Sequence, residues 1–176
     1  TSLQDQYGKA VAHTNLTLYY IEQSNYREAL DHATLSLTTF ESVSDDYQIA
    51  VTLRTIGNIY SLLNQSDQSL DYYLRALMIF EDIEKEEEVA ASVMMIGDVF
   101  SQWSQTEKAI LFFERSLSIH QKLGDHGGVL QSENKLAQSL MAMARFEEAQ
   151  NHLERALVIA DENDAIVPLA NLYTSL

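Results

Sequence analysis

The chain has 176 residues, 46% of them hydrophobic, and a formal net charge of −15 from 26 acidic and 11 basic residues. That is enough apolar material for one well-buried domain, and the absence of cysteine excludes disulfides and thiolate metal sites. The acidic excess disfavours unaided binding to nucleic acid or to an anionic membrane, which both demand a basic face, and would steer in a basic partner.

No apolar run approaches the roughly 20 residues of a membrane span, and no N-terminal signal pattern is visible. A cytoplasmic protein without a membrane role is expected. Thr1 in place of an initiator Met predicts a piece of a longer or processed protein. One Pro and six Gly leave little punctuation, which suits long helices.

Taken in chain order, the elements repeat. Leu16-Thr17-Leu18-Tyr19-Tyr20 opens the series, and Thr55-Ile56-Gly57-Asn58-Ile59-Tyr60 follows in register. Forty residues later this becomes Met95-Ile96-Gly97-Asp98-Val99-Phe100, and then Leu136-Ala137-Gln138-Ser139-Leu140. The units run over about 10–49, 50–89, 90–129 and 130–164, with 165–176 as a partial fifth unit or a cap. A period of this size means stacked copies of one supersecondary unit. Within units, breaks at Ser24-Asn25, Asn64 to Asp67 and Ser104 to Thr106 predict a helix–turn–helix, with Ser66 or Asp67 and Thr106 as N-caps. Longer polar breaks are expected between units, at Ser42 to Asp46, Glu84 to Glu88, Gly124 to Gly128 and Asp161 to Asp164. Leu70, Tyr73, Leu74, Leu77 and Phe80 recur at helical steps. The prediction is an all-α, right-handed α-solenoid of about nine helices in antiparallel pairs, without a strand.

Numbering each unit from Ala10, Ala50, Ala90 or Leu130, position 8 is Thr17, Gly57, Gly97 and Ala137. Position 20 is Ala29, Ser69, Ala109 and Ala149, and position 27 is Ser36, Ala76, Ser116 and Ala156. All are small, which lets the paired helices approach closely. Large residues stand at position 7 (Leu16, Ile56, Ile96, Leu136) and position 11 (Tyr20, Tyr60, Phe100, Leu140), and at position 24 (Ala33, Tyr73, Phe113, Leu153) in three of four units. This pattern resembles the tetratricopeptide repeat, and the match covers residues 10–161. It departs from that family at position 4, where His13 and Glu133 replace bulky apolar residues, at position 32, which lacks Pro, and in its 40-residue period. The longer period is expected to lengthen the second helix and the first helix that follows. It is similar to repeats of kinesin light chains, of bacterial quorum-sensing peptide receptors and of sensory regions fused to bacterial cyclases and kinases.

Residue types that carry chemistry are sparse. There is no nucleotide loop and no His-Glu-x-x-His, so no catalytic role, cofactor or metal is expected. His32 and His152 share position 23 two units apart and read as structural. Glu84 to Glu88 reads as a solvated acidic corner. Arg75, Arg115 and Arg155, all at position 26, read as outward-facing residues neutralised by the acids beside them in sequence, such as Glu114 and Glu154.

The resemblance implies a non-catalytic protein- or peptide-binding scaffold in a larger, bacterial signalling protein. The alternatives are a regulatory domain of a cyclase or kinase whose catalytic domain lies outside this chain, and a peptide-pheromone receptor. It places the groove on the first helices. Unit one would supply Val11, Thr14, Leu18, Ile21 and Glu22; unit two Val51, Arg54, Asn58, Ser61 and Leu62. Unit three would supply Ala91, Met94, Asp98, Ser101 and Gln102; unit four Gln131, Asn134, Gln138, Met141 and Ala142. Such a lining is aliphatic toward its N-terminal end and rich in amides toward the other, and amides can pair with the backbone of an extended peptide. Arg54 and Asn58, four apart, present one polar face; Arg54 would meet either a ligand carboxylate or an acid of the chain such as Asp98. Chaperone-binding members clamp a C-terminal carboxylate through five positions; Arg54, Asn58 and Lys135 match them and Met95 and Gln131 do not, so chaperone binding is not expected. Truncated ends of the stack would allow self-association.

Overall fold

The computed structural model describes residues 3–162. Those residues form eight helices and no strand: α1 (Leu3–Glu22), α2 (Tyr26–Val43), α3 (Asp46–Leu62), α4 (Ser66–Asp82), α5 (Glu86–Gln102), α6 (Thr106–Leu123), α7 (His126–Ala142) and α8 (Phe146–Glu162). Each packs on its neighbours in sequence, the pattern of an α-solenoid. The expected ninth helix, over 165–176, lies outside the described residues, as does its packing through Ile166, Leu169, Leu172 and Tyr173.

The backbone repeats at half the period of the side chains. A left-handed residue recurs every twenty positions: Ser24, Ser44, Asn64, Glu84, Ser104, Gly124 and Ala144, with φ between 54° and 67°. At each, the next amide closes the preceding helix in a Schellman-type bond, from Asn25 N to Tyr20 O at 2.8 Å through to Arg145 N to Leu140 O at 2.9 Å. Turns between units are therefore as short as turns within them, which corrects the longer breaks read from the sequence. Glu86, Glu87 and Glu88 form the first turn of α5, where the positive end of the helix dipole favours carboxylates, rather than a loose corner. The N-caps also differ from expectation. Ser66 and Thr106 are first helical residues, preceded by Gln65 and Gln105 without side-chain caps. The side chains that do cap are Asp45, accepting from Gln48 N at 3.0 Å, and Asp125, accepting from Gly128 N at 3.1 Å.

This register brings small and large residues face to face. All twelve small residues at positions 8, 20 and 27 are buried. A Cβ on Gly57 would stand 2.6 Å from the Tyr73 ring and one on Gly97 2.5 Å from the Phe113 ring, so each aromatic of position 24 lies directly on a glycine of position 8. Size shifts between the two positions from unit to unit: Thr17 with Ala33, Gly57 with Tyr73, Gly97 with Phe113, Ala137 with Leu153. Buried serines at position 27 bond to position 1, Ser36 Oγ to Ala10 O at 3.0 Å and Ser116 Oγ to Ala90 O at 3.1 Å.

A second recurring contact stacks position 11 on position 23: Tyr20 on His32, Tyr60 on Tyr72 and Phe100 on Phe112, with centroids 5.2–5.4 Å apart. His32 thus fills an aromatic slot.

Two stability predictions follow from this packing. Gly97→Leu drives a side chain into the Phe113 ring and is expected to cost about 1–3 kcal/mol, read as a lowered midpoint in urea; an unchanged midpoint would refute the register. Ala144→Gly relieves a left-handed alanine and is expected to stabilise by about 1 kcal/mol, read as a raised thermal midpoint.

Candidate functional site

The first helices α3, α5 and α7 carry the surface that the sequence singles out, and α1 extends it. Its apolar part is Val11, Leu18 and Leu62, all exposed because they point away from the second helices. Asn58, Gln102 and Gln138 are exposed, and Asn134 is half-buried. Gln102 accepts a bond from Ser66 Oγ at 3.2 Å, which ties it to the start of α4. Thr14 is engaged inside unit one, bonding Ser36 Oγ at 2.8 Å and Ala10 O at 3.1 Å. Ile21 and Met141 are half-buried against the core. Met94 is 9% exposed and packs with Phe113 and Leu136, so it belongs to the core and not to the lining. Neighbouring helices make the room: Ile110 and Phe113 of α6 and Leu136 and Leu140 of α7 share its cluster.

Two of the three charges on this surface are paired, and the third, Glu22, is exposed. Arg54 forms an ion pair with Glu88 of α5, not with Asp98, and its guanidinium lies 5.1 Å from the centre of the Phe80 ring. Tyr47 donates to the same carboxylate at 2.9 Å, and that bond pushes the Tyr47 hydroxyl above its ordinary pKa. Asp98 takes Lys135 of α7 at 2.6 Å. These two bridges run from each first helix to the next, and Asn58, Asn134 and Gln138 remain beside them without a side-chain bond of this kind.

The position-26 arginines are exposed, as expected, but their partners are not the adjacent acids. Arg115 reaches Glu81 on α4, Arg155 reaches Glu133 on α7 at 3.2 Å, and Arg75 lies 3.8 Å from Asp71.

Three features escaped the sequence reading. An open cleft of 1210 Å³ lies between the ends of α4 and α6, over the first turn of α5. A second, of 670 Å³, repeats it one unit later, with Gln121, Val129 and Arg155 where the first has Glu81, Val89 and Arg115. In the first cleft Arg115 pairs with Glu81 and Lys122 with Glu86. The second feature explains the odd residues at position 4. Each bonds the position-23 histidine of its own unit: His13 Nδ1 lies 2.9 Å from His32 Nδ1, and Glu133, 1% exposed, holds His152 Nδ1 at 2.5 Å. The inner units carry Leu53 with Tyr72 and Val93 with Phe112 at the same places. The shared nineteen-residue spacing was the available signal. The third is His120, buried where units one and two have Phe40 and Phe80. Its ring lies on Gly128, and its Nδ1 is 2.8 Å from Asp125. No cluster of three or more metal-ligating side chains occurs among the described residues, nor is any described helix long and apolar enough to cross a membrane.

The Asp125 carboxylate is held below its ordinary pKa chiefly by the Gly128 amide, with His120 beside it. A depressed carboxyl contributes stability above the unfolded value of about 3.9 and loses it as pH falls through the lower folded value. Asp125→Ala is expected to cost about 1 kcal/mol at neutral pH. Urea melts of the variant and the parent should converge as pH drops below about 3.9.

The tetratricopeptide repeat family model matches residues 8–82, 48–122 and 88–162. None of the curated proteins compared matches the sequence. Among solved structures, BtubC (BKLC) from P. vanneervenii is similar at a TM-score of 0.81 and 20% identity, over 90% of this chain and 66% of that one. Aspartyl phosphate phosphatase F from Bacillus subtilis is similar at 0.89 and 13% identity, over 94% and 44%. A signal transduction ATPase with numerous domains and a tetratricopeptide repeat sensor, from Pyrococcus horikoshii, is similar at 0.80 and 20% identity, over 91% and 26%. The chain thus spans between 26% and 66% of the length of these proteins. Family model, helix pairing and small-residue register agree: the chain belongs to the tetratricopeptide repeat family.

Proposed function

We propose that this chain is a non-catalytic interaction scaffold, the sensory or partner-binding region of a larger bacterial signalling protein. Its first-helix surface takes an extended protein or peptide segment. One observation carries the reading: the surface pairs off its own charges, Arg54 with Glu88 and Asp98 with Lys135, and leaves exposed amides beside exposed aliphatics. Such a lining recognises a peptide backbone through Asn58, Gln102 and Gln138 and an apolar side chain through Leu18 and Leu62. The likeness to a multidomain signal transduction ATPase with a repeat sensor supports a place beside a catalytic domain carried elsewhere.

A displayed library of extended peptides, selected against the chain, tests the proposal. Asn58→Ala and Gln138→Ala are each expected to weaken the selected peptides by about 1–3 kcal/mol by calorimetry, and Leu18→Asp to abolish binding. The thermal midpoint should barely move, because these side chains are exposed. Selected peptides indifferent to all three changes would place the binding surface elsewhere.

A further inference from the structure

His120 brings ring nitrogens into a slot that is otherwise hydrocarbon. Its repeat position carries Phe40, Phe80 and Ala160 in the other units, and His120 is buried there at 7% exposure. Its Nδ1 is buried without a hydrogen-bond partner. The Asp125 carboxylate comes within 2.8 Å of that nitrogen, yet stands off the line along which a ring N–H donates. Gly128 seats the ring. A Cβ there would fall on the face of the imidazole, nearest to Nδ1 and almost equally close to the two carbons beside it, so the contact does not use the in-plane direction of Nδ1. The other oxygen of Asp125 accepts from Gly128 N at 3.1 Å, which fixes the carboxylate in place.

We propose that His120 Nδ1 and Asp125 Oδ2 together hold a divalent metal ion of the zinc type, with water in its remaining positions. A hydrogen bond needs the N–H aimed at the oxygen, and here it is not. A cation about 2.1 Å from each atom, subtending about 90°, sets nitrogen and oxygen about 3 Å apart, with the oxygen about 45° off the lone-pair axis. Close approach without alignment is therefore what a shared cation asks for. The donor set names the ion: an imidazole nitrogen beside a carboxylate oxygen suits zinc, nickel or copper, whereas magnesium and calcium prefer oxygen alone. The carboxylate is available as an anion, because the Gly128 amide holds its pKa below the ordinary range. Asp125 is exposed and opens the site to solvent. The bridge joins the last turn of α6 to the N-cap of α7 across the turn richest in glycine, since Gly124, Gly127 and Gly128 are three of the chain's six. Glycine loses the most freedom on ordering, so a metal clip here stiffens the joint between the third and fourth units.

The test is a calorimetric titration of zinc chloride into the 176-residue chain. One site per chain is expected, and a thermal midpoint that rises with zinc by mass action. His120→Phe installs the residue that units one and two carry, and Asp125→Asn keeps a capping oxygen for Gly128. Each should weaken zinc at least about tenfold, with helicity unchanged by circular dichroism. His32→Phe, which matches Phe112 at the same position, should leave zinc binding as it is. In long-range proton–nitrogen spectra, zinc should shift Nδ1 of His120. Undiminished binding in either His120→Phe or Asp125→Asn overturns the proposal, as does a shift at Nε2 in place of Nδ1. Loss confined to His32→Phe would assign the metal to the His13–His32 pair and overturn it. A midpoint raised equally by magnesium would reduce the effect to screening of carboxylates, and would overturn it as well.

Discussion

Everything in this stack depends on one turn, made seven times. Each of the helices α1 to α7 ends on a left-handed residue and a backbone bond that reaches back five residues, and the next helix begins two residues later. The helices that lie between two such turns, α2 to α7, are thereby held at 17 or 18 residues, since a longer one would move the following turn off its twenty-residue beat. Six of the seven left-handed positions lack glycine, so local preference alone does not impose the turn. Packing imposes it: the turn is the backbone path that sets Gly57 under Tyr73 and Gly97 under Phe113.

Within that frame, side chains are exchanged between defined slots. Bulk moves between positions 8 and 24, which share one volume. The slot at position 23 takes any flat ring, so Tyr72, Phe112 and His32 are interchangeable as stacking partners. Where position 4 carries a polar group, position 23 answers with histidine, which stacks and hydrogen-bonds at once. Glu133 is thereby accommodated at 1% exposure: His152 and Arg155 meet both its oxygens. Register assigns four of the five histidines to structural partners.

The same register organises the surface. A first-helix charge finds its partner on the next first helix, because the helix pairs advance in step. Arg54 finds Glu88 and Asp98 finds Lys135 in this way. A strongly acidic protein thus carries a first-helix surface that is nearly neutral, aliphatic at one end and amide-bearing along the rest.

The sequence by itself determined the repeat, the helix pairs, the twelve small buried positions and the family, because burial at a fixed period writes itself into residue size. It also carried the resemblance that implied Asn58, Gln102 and Gln138 on the first-helix surface, where all three are exposed. It did not determine the turns: Ser24, Glu84 and Ala144 carry no mark of a left-handed conformation that tertiary packing imposes on them. Nor could it choose Glu88 for Arg54, since the choice among nearby acids depends on how far one helix slides along the next. Met94 shows the limit most plainly. Its repeat position faces the groove in the family pattern, yet a long flexible side chain can turn into the core wherever neighbouring units leave room, and only the assembled stack decides whether they do.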